Sequence, residues 1–417
     1  MQNTNSHLIK KHGTTLYVKS LIISCVFLAL IIIEVFRNGS YLDEIIGVGS
    51  MLYIFFSRKK ISRNDLITIA LLFVVVVIGL SSNIYSGLNK SFFSIVVDVV
   101  AETKLLFAFF ATKYFLTERE KQSIIDMLVP FSKLYILSSF FCSIISLFVD
   151  IGMSGEERYG IPSFRFFFDF NFQYVAVYML VFGIMVCNTK MSEKKKKRYY
   201  WIAIISLVLA TKAPPIMFSI IFVFLYRYFQ KHKRLSIKIV IPLLIVIIIA
   251  GWFQIETYLL NESSPRRLFF EYAFKTANTY FPFGSGFATY GSDQAARVYS
   301  PLYYKYGFDM YNGMNPEDSS FLSDTFWPMA IGQFGWIGSI IYIAVYVRVF
   351  LTFSNKRLIY SRKAFLYSSY LQYMIHAIGA AILSSSAGLI GFMAISLFTI
   401  EEPEDEHTNL PRVKLKF

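Results

Sequence analysis

"LITIALLFVVVVIGLSS" (66–82) carries no charge and follows the basic cluster "SRKKISR" (57–63). Wound as a helix, a run of this kind comes close to crossing a hydrocarbon core of ~30 Å. Apolar runs of roughly 17–25 residues recur from end to end of the chain. The composition agrees, with 55% of the 417 residues hydrophobic, only 16% charged, and a mean hydropathy of +0.50. Soluble domains carry about 25% charged residues. The 43 Phe and 28 Tyr suit lipid contact and interfacial aromatic belts. The pattern predicts an all-α, polytopic integral membrane protein.

Run lengths predict about twelve transmembrane helices, near 18–36, 42–56, 66–82, 92–116, 129–149, 170–187, 199–211, 215–229, 239–255, 326–349, 365–382 and 386–400. The fourth run carries Asp98, Glu102 and Lys104. Charges at that depth must face protein or water, not lipid. A net charge of +14 raises the question of nucleic acid, and the placement of the charges answers it. They cluster in short loops, as in "EKKKKR" (193–198) and "QKHKR" (230–234), which is the positive-inside pattern, so no nucleic-acid partner is expected. With twelve spans, the basic loops near 57–65, 117–127, 188–198, 230–238 and 350–363 share one side with both termini, and that side is the cytoplasm. The chain is thus expected to form a single membrane-embedded domain (1–417) of the cytoplasmic (inner or plasma) membrane, with a cytoplasmic tail (401–417). The basic start and the first apolar run, with no small-residue cleavage site after it, are expected to be a retained helix. Cys25, Cys142 and Cys187 lie in or beside apolar runs, with no spacing for a metal or a disulfide framework.

Two of the expected outward loops are long: 150–169, and 256–325 between the ninth and tenth spans. The second contains "NESSPRRLFFEYAFKTANTYF" (261–281), in which Leu268, Phe269, Tyr272 and Phe274 recur at roughly helical spacing after Pro265. An amphipathic helix on the outer membrane surface is expected there, with Arg266 and Arg267 in its first turn. "PFGSGFATYGS" (282–292) follows, then a second short amphipathic piece holding Arg297 and Tyr299. The glycines, Gly284 and Gly286 among them, either form turns or bring backbone N–H groups to a ligand. Together these pieces suggest an outward cavity lined by arginine, tyrosine and amides. Arginine there binds phosphate oxygens bidentately, or only meets solvent and headgroups. The loop 150–169 adds Arg158 and Arg165.

Asp324, where the long loop enters the tenth span, is either a general base that orients a substrate hydroxyl or an N-cap for the helix beginning near Thr325. Lys212, in "ATKAPPI" (210–216), either contacts phosphate or snorkels to headgroups. His376 is the lone histidine inside a span and is expected to be a packing contact. There is no P-loop, no HExxH, no credible Ser/His/Asp set and no DxD-like pair. An enzyme of this kind would use a lipid-borne donor, with no cofactor and no metal ligands expected.

The span count, an arginine-bearing third outward loop and a large fifth one resemble the O-antigen polymerase and ligase superfamily. Within it the chain is most similar to Wzy-type repeat-unit polymerases of capsule, exopolysaccharide or O-antigen. The local motifs are "PRRLFFEYAF" (265–274), "PFGSGFATYGS" (282–292) and "DTFWPMAIGQFGWIG" (324–338). The resemblance implies a membrane glycosyltransferase at the outer face of the cytoplasmic membrane. It would join undecaprenyl-diphosphate-linked oligosaccharide repeats, with the lipid diphosphate as leaving group, alongside membrane lipids and a chain-length regulator protein. It also implies diphosphate and glycan contacts at Arg158 or Arg165 and at Arg266 or Arg267, with Arg266 preferred for its place after Pro265 and Arg297 in second rank. Related ligases open the motif ending in Gly335 and Gly338 with a histidine, where this chain has Asp324. That difference favours polymerase over ligase. Many relatives carry arginine where this chain has Lys212. The remaining alternative is a lipid-linked oligosaccharide flippase, against which stand the absence of internal repeats and the long outer loop.

Overall fold

A computed structural model describes residues 2–36, 41–158, 160–236 and 264–402, with isolated positions between 237 and 263. Side chains are described from Leu16 onward, that of Arg158 excepted. The expected ninth span lies outside the described residues apart from single positions, as does the tail from 403. The helices are α1 (Gln2–Phe36), α2 (Leu42–Phe56), α3 (Arg63–Ser86), α4 (Phe92–Phe115), α5 (Glu118–Ile145), α6 (Asn171–Cys187), α7 (Glu193–Val208) and α8 (Ala213–Phe229). After the gap come α9 (Pro265–Thr279), α10 (Asp293–Arg297), α11 (Pro301–Lys305), α12 (Phe326–Ser354), α13 (Tyr360–His376) and α14 (Ser386–Phe398). A helix thus stands at each of the other eleven apolar runs. Four are long and apolar enough to cross a membrane: Leu16–Phe36, Arg63–Ser86, Glu118–Ile145 and Phe326–Ser354. The chain is a mostly helical, membrane-embedded protein.

Local chemistry sets several helix ends. The Ser62 side chain accepts from Asp65 N at the start of α3, and Gly87 closes that helix in the left-handed region. Thr117 and Glu120 form a capping box at the start of α5. The charges in α4 face protein, as their depth requires. Lys104 pairs with Asp43 and, at 3.0 Å, with Glu44 of α2. Asp98 is buried and turned toward α12.

Residues 150–169 were expected to be loop. They contain an antiparallel hairpin, β1 (Ser154–Arg158) and β2 (Ile161–Phe164), with Arg158 opposite Ile161. Gly160, at φ +73, lets the chain turn between them. The hairpin is fastened to the α7–α8 turn: Phe164 N donates to Leu209 O (3.2 Å), and Ser163 Oγ to Ala210 O (2.7 Å).

The region 264–322 folds around a small aromatic core of its own, which includes Phe269, Tyr290, Tyr299, Tyr303, Phe308 and Leu322. α9 is the helix expected after Pro265, and it buries Phe269, Ala273, Thr276 and Ala277.

Residues 284–292 are entirely buried. They plug a break in α12, whose backbone leaves helical geometry at Gly335 (φ 62°, ψ −164°). The break frees carbonyls, and the plug takes them up: Ser285 N donates to Gly332 O (3.0 Å), and Gly286 N to Gln333 O (2.9 Å). The two backbones touch. A Cβ on Gly284 would stand 2.3 Å from Gly335 N, and one on Gly286 would stand 2.6 Å from Asn83 N. Side chains secure the other polar groups of the plug. Asn83 Nδ2 donates to Phe287 O and its Oδ1 accepts from Phe287 N, both at 2.8 Å. Asp98 Oδ2 accepts from Ala288 N (2.5 Å) and from Gln333 Nε2 (3.0 Å).

Gly284→Ala is therefore expected to lower the thermal midpoint of the detergent-purified protein markedly. The added methyl meets backbone, at a residue with φ +79. Gly49→Ala, in α2 with open space around its Cβ, is expected to leave the midpoint unchanged or slightly raised. Equal midpoints for the two variants would contradict this packing.

Candidate functional site

Four segments that are distant in sequence come within reach of one another near the start of α12. The first is the turn before α8, which carries Lys212. The second is the start of α9, where Pro265 opens the helix and Arg266 follows in its first turn. The third is the approach to α12, with Asp324. The fourth is the end of α13, with His376. α12 and α13 are joined there by Phe326 N donating to Ala377 O (3.3 Å) and Trp327 Nε1 to Met374 O (3.4 Å).

Arg266 donates from Nε (2.9 Å) and Nη2 (2.5 Å) to one oxygen, Oδ2, of Asp324. The two side chains are 22% and 29% exposed, so the pair is reachable from outside while partly shielded from water. Asp324 is not the helix cap: Thr325 holds that position and makes no capping bond through its side chain. The N-cap expectation is thereby corrected. Asp324 carries a held charge because Arg266 reaches it. Burial holds its carboxyl above the ordinary value, while the charge and hydrogen bonds of Arg266, then the charge of Lys212, act in the opposite direction. The charges of Arg266 and Lys212 also reach His376. Beside these groups, the Thr211 and Thr325 hydroxyls are buried without a hydrogen-bond partner. Two cations, a carboxylate, an imidazole and two hydroxyls are suited to holding an anionic ester and moving a proton beside it.

The other expected site residues take different places. Arg267 donates to Leu260 O (3.0 Å), whereas its neighbour Arg266 bonds Asp324. Arg165, at the end of the hairpin, donates from Nη1 to Asp169 O (2.5 Å). Its hairpin is tied to the residues just before Lys212, which is the link between this loop and the site. Arg158 lies in β1, and its side chain is outside the described residues. Arg297 pairs with Asp293 at 2.7 Å on an exposed helix face. Tyr299 is buried in the aromatic core and donates to Met314 O (3.0 Å). The amides of Gly284 and Gly286 donate to Tyr280 O and Gln333 O, both at 2.9 Å. A cavity lined by free glycine amides is therefore not what this stretch forms. Its glycines serve contact between buried backbones, because the plug must approach α3 and α12 more closely than any Cβ permits.

His376, expected to be a packing contact, ends α13 with the Gln372 amide 3.3 Å from its Nδ1. Among the described residues, no group of three or more His, Cys, Asp or Glu could hold a metal ion. Comparison with known proteins gives no match: no family model, no curated protein and no solved structure matches this chain.

The ion pair has a pH signature. A carboxyl raised in the folded state costs no stability below its unfolded value and an increasing amount as pH rises through its folded value. Arg266→Gln removes the largest opposing charge and raises the Asp324 carboxyl further. The variant is therefore expected to lose more thermal stability relative to wild type at pH 8 than at pH 4, and Asp324→Asn in the same chain should abolish that extra loss. A loss independent of pH would show that Arg266 does not stabilise the Asp324 charge.

Proposed function

We propose that the chain is a polysaccharide polymerase. It joins undecaprenyl-diphosphate-linked oligosaccharide repeats at the outer face of the cytoplasmic membrane. In this reading about twelve helices cross the membrane, both termini are cytoplasmic, and the junction of Lys212, Arg266, Asp324 and His376 opens outward. The observation that carries the proposal is the convergence of Arg266 and Lys212 on one partly shielded carboxylate, at the point where both long loops attach. A membrane protein that gathers two cations there is equipped for an anion delivered by a lipid. The resemblance of "PRRLFFEYAF" and "DTFWPMAIGQFGWIG" to the repeat-unit polymerases supplies the chemical identity of that anion, and these two motifs provide the ion pair.

The chemistry follows from the charges. A diphosphate gathers negative charge as the bond to the anomeric carbon breaks. Positioned donors stabilise charge that grows in the transition state more than charge already present, so they accelerate the step. Arg266, held by Asp324, and Lys212 place two positive charges where that charge grows. Holding donor and acceptor lipids side by side supplies proximity.

Deleting the gene is expected to leave single repeats on the lipid carrier, and wild type should restore the long-chain glycan ladder on gels. Arg266→Ala is expected to restore it about 10²–10³-fold less effectively, the scale for losing a donor to a developing oxyanion. Full-length polymer retained on its carrier in the deletion strain would instead point to a ligase. Repeats confined to the inner face would point to a flippase.

A further inference from the structure

We infer that α12 doubles back on itself, and that the start of its first half, with the hydroxyls of Thr325 and Thr211, binds phosphate oxygens at the floor of a vestibule sunk into the membrane; naming that phosphate a lipid diphosphate rests on the polymerase reading above. A straight helix separates residues 326 and 346 by ~30 Å, and residues 330 and 339 by ~13 Å. In this chain the Phe326 ring centroid lies 5.8 Å from that of Tyr342 and 6.1 Å from that of Tyr346. The Trp327 ring lies 5.9 Å from Tyr346, and Ser339 Oγ donates to Ala330 O at 3.0 Å. These pairs close on Gly335, whose φ of 62° and ψ of −164° turn the chain. Residues 326–334 therefore form one helix, and 336–354 a second, antiparallel to it.

The second half alone, at ~28 Å, is long enough to cross the hydrocarbon core. The first half lies alongside it, so its start stands beside the middle of that crossing, about 13 Å from the reversal. Arg266 and Asp324 meet at this start, yet their side chains are 22% and 29% exposed. Charges at such a depth face protein or water. Their exposure makes it water, so the ion pair lines the floor of an opening.

The floor is suited to oxyanions. The first amides of a helix have no partner within it and carry its positive end. Phe326 N donates to Ala377 O, and Pro328 has no N–H, which leaves the amide of Trp327 among those of the first turn. Thr325 holds the N-cap position without a capping bond; it is 1% exposed, and its hydroxyl has no partner. Thr211, next to Lys212, is 5% exposed, and its hydroxyl also has none. Thr211 is held at φ +49, a costly conformation for a β-branched residue and one that collects at ligand sites. A buried hydroxyl that has lost water and gained nothing is destabilising. Here two such hydroxyls stand one residue from Asp324 and from Lys212. A diphosphate supplies the acceptors they lack, with charge opposite to that of Arg266 and Lys212.

The reversal is tested in the full-length chain carrying Cys25→Ala, Cys142→Ala and Cys187→Ala. Ala330→Cys with Ser339→Cys, or Phe326→Cys with Tyr346→Cys, should form an intramolecular disulfide under mild oxidant, since such a bridge needs Cα atoms within ~7 Å. Failure of both pairs would overturn the reversal. The site is tested by calorimetric titration of the detergent-purified protein with inorganic pyrophosphate. Thr325→Val should weaken binding about tenfold, the scale of one charge-assisted hydrogen bond, and Thr325→Ser should retain it. Absence of pyrophosphate binding by wild type, wild-type affinity in Thr325→Val, or equal losses in the Val and Ser variants would overturn the site. A short-chain polyprenyl diphosphate should displace pyrophosphate. One that does not compete would leave the site to a free diphosphate and would count against the polymerase reading instead.

Discussion

Burying a stretch of irregular backbone among helices is the constraint on which the rest of this structure depends. Each buried N–H and C=O that lacks a partner costs roughly 1–3 kcal/mol, and in a membrane no water is at hand to help. Residues 284–292 meet that demand by pairing with a second irregularity, the break in α12 at Gly335. Each supplies what the other lacks, and Asn83, Asp98 and Gln333 satisfy part of what remains. The charged residue Asp98, costly in lipid, is stable because two donors point at it.

This joint fixes the site. α9 packs along α12, and the plug between them sets how the two helices start relative to one another. Arg266 in the first turn of one then meets Asp324 just ahead of the other. α13 is fastened to the same helix start, which brings in His376, and the hairpin of 154–164 is tied to the turn that brings in Lys212. An ion pair on an open surface contributes little. Here the pair is partly shielded, so it holds the guanidinium in one orientation. In the proposed reaction, that preorganisation would spare the reorganisation that solvent otherwise requires.

Most of the helices could be read from the sequence, because apolar runs bounded by Lys and Arg are strong signals, and a helix stands wherever the described residues cover such a run. The helix after Pro265 was legible for the same reason, from the spacing of Leu268, Phe269 and Tyr272. The hairpin at 154–164 was not, since five- and four-residue strands in a polar loop carry almost no periodic signal. The glycine-rich stretch was misjudged in kind. Gly284 and Gly286 look the same in sequence whether they open a backbone to a ligand or press it against a helix, and only the partner at Gly335 separates the two. Arg266 and Arg267 were likewise inseparable in sequence, since the face each occupies depends on where α12 lies.

The central claim is that Arg266 and Lys212 hold a lipid diphosphate. It is tested most directly by native mass spectrometry of the purified protein with a short-chain polyprenyl diphosphate, using the monophosphate as comparison. The account predicts that wild type retains the diphosphate in preference to the monophosphate. It also predicts that Arg266→Ala and Lys212→Ala each weaken retention about tenfold or more, the scale of losing one charge-assisted contact of 1.5–3 kcal/mol. Equal retention by wild type and the doubly substituted protein would contradict it.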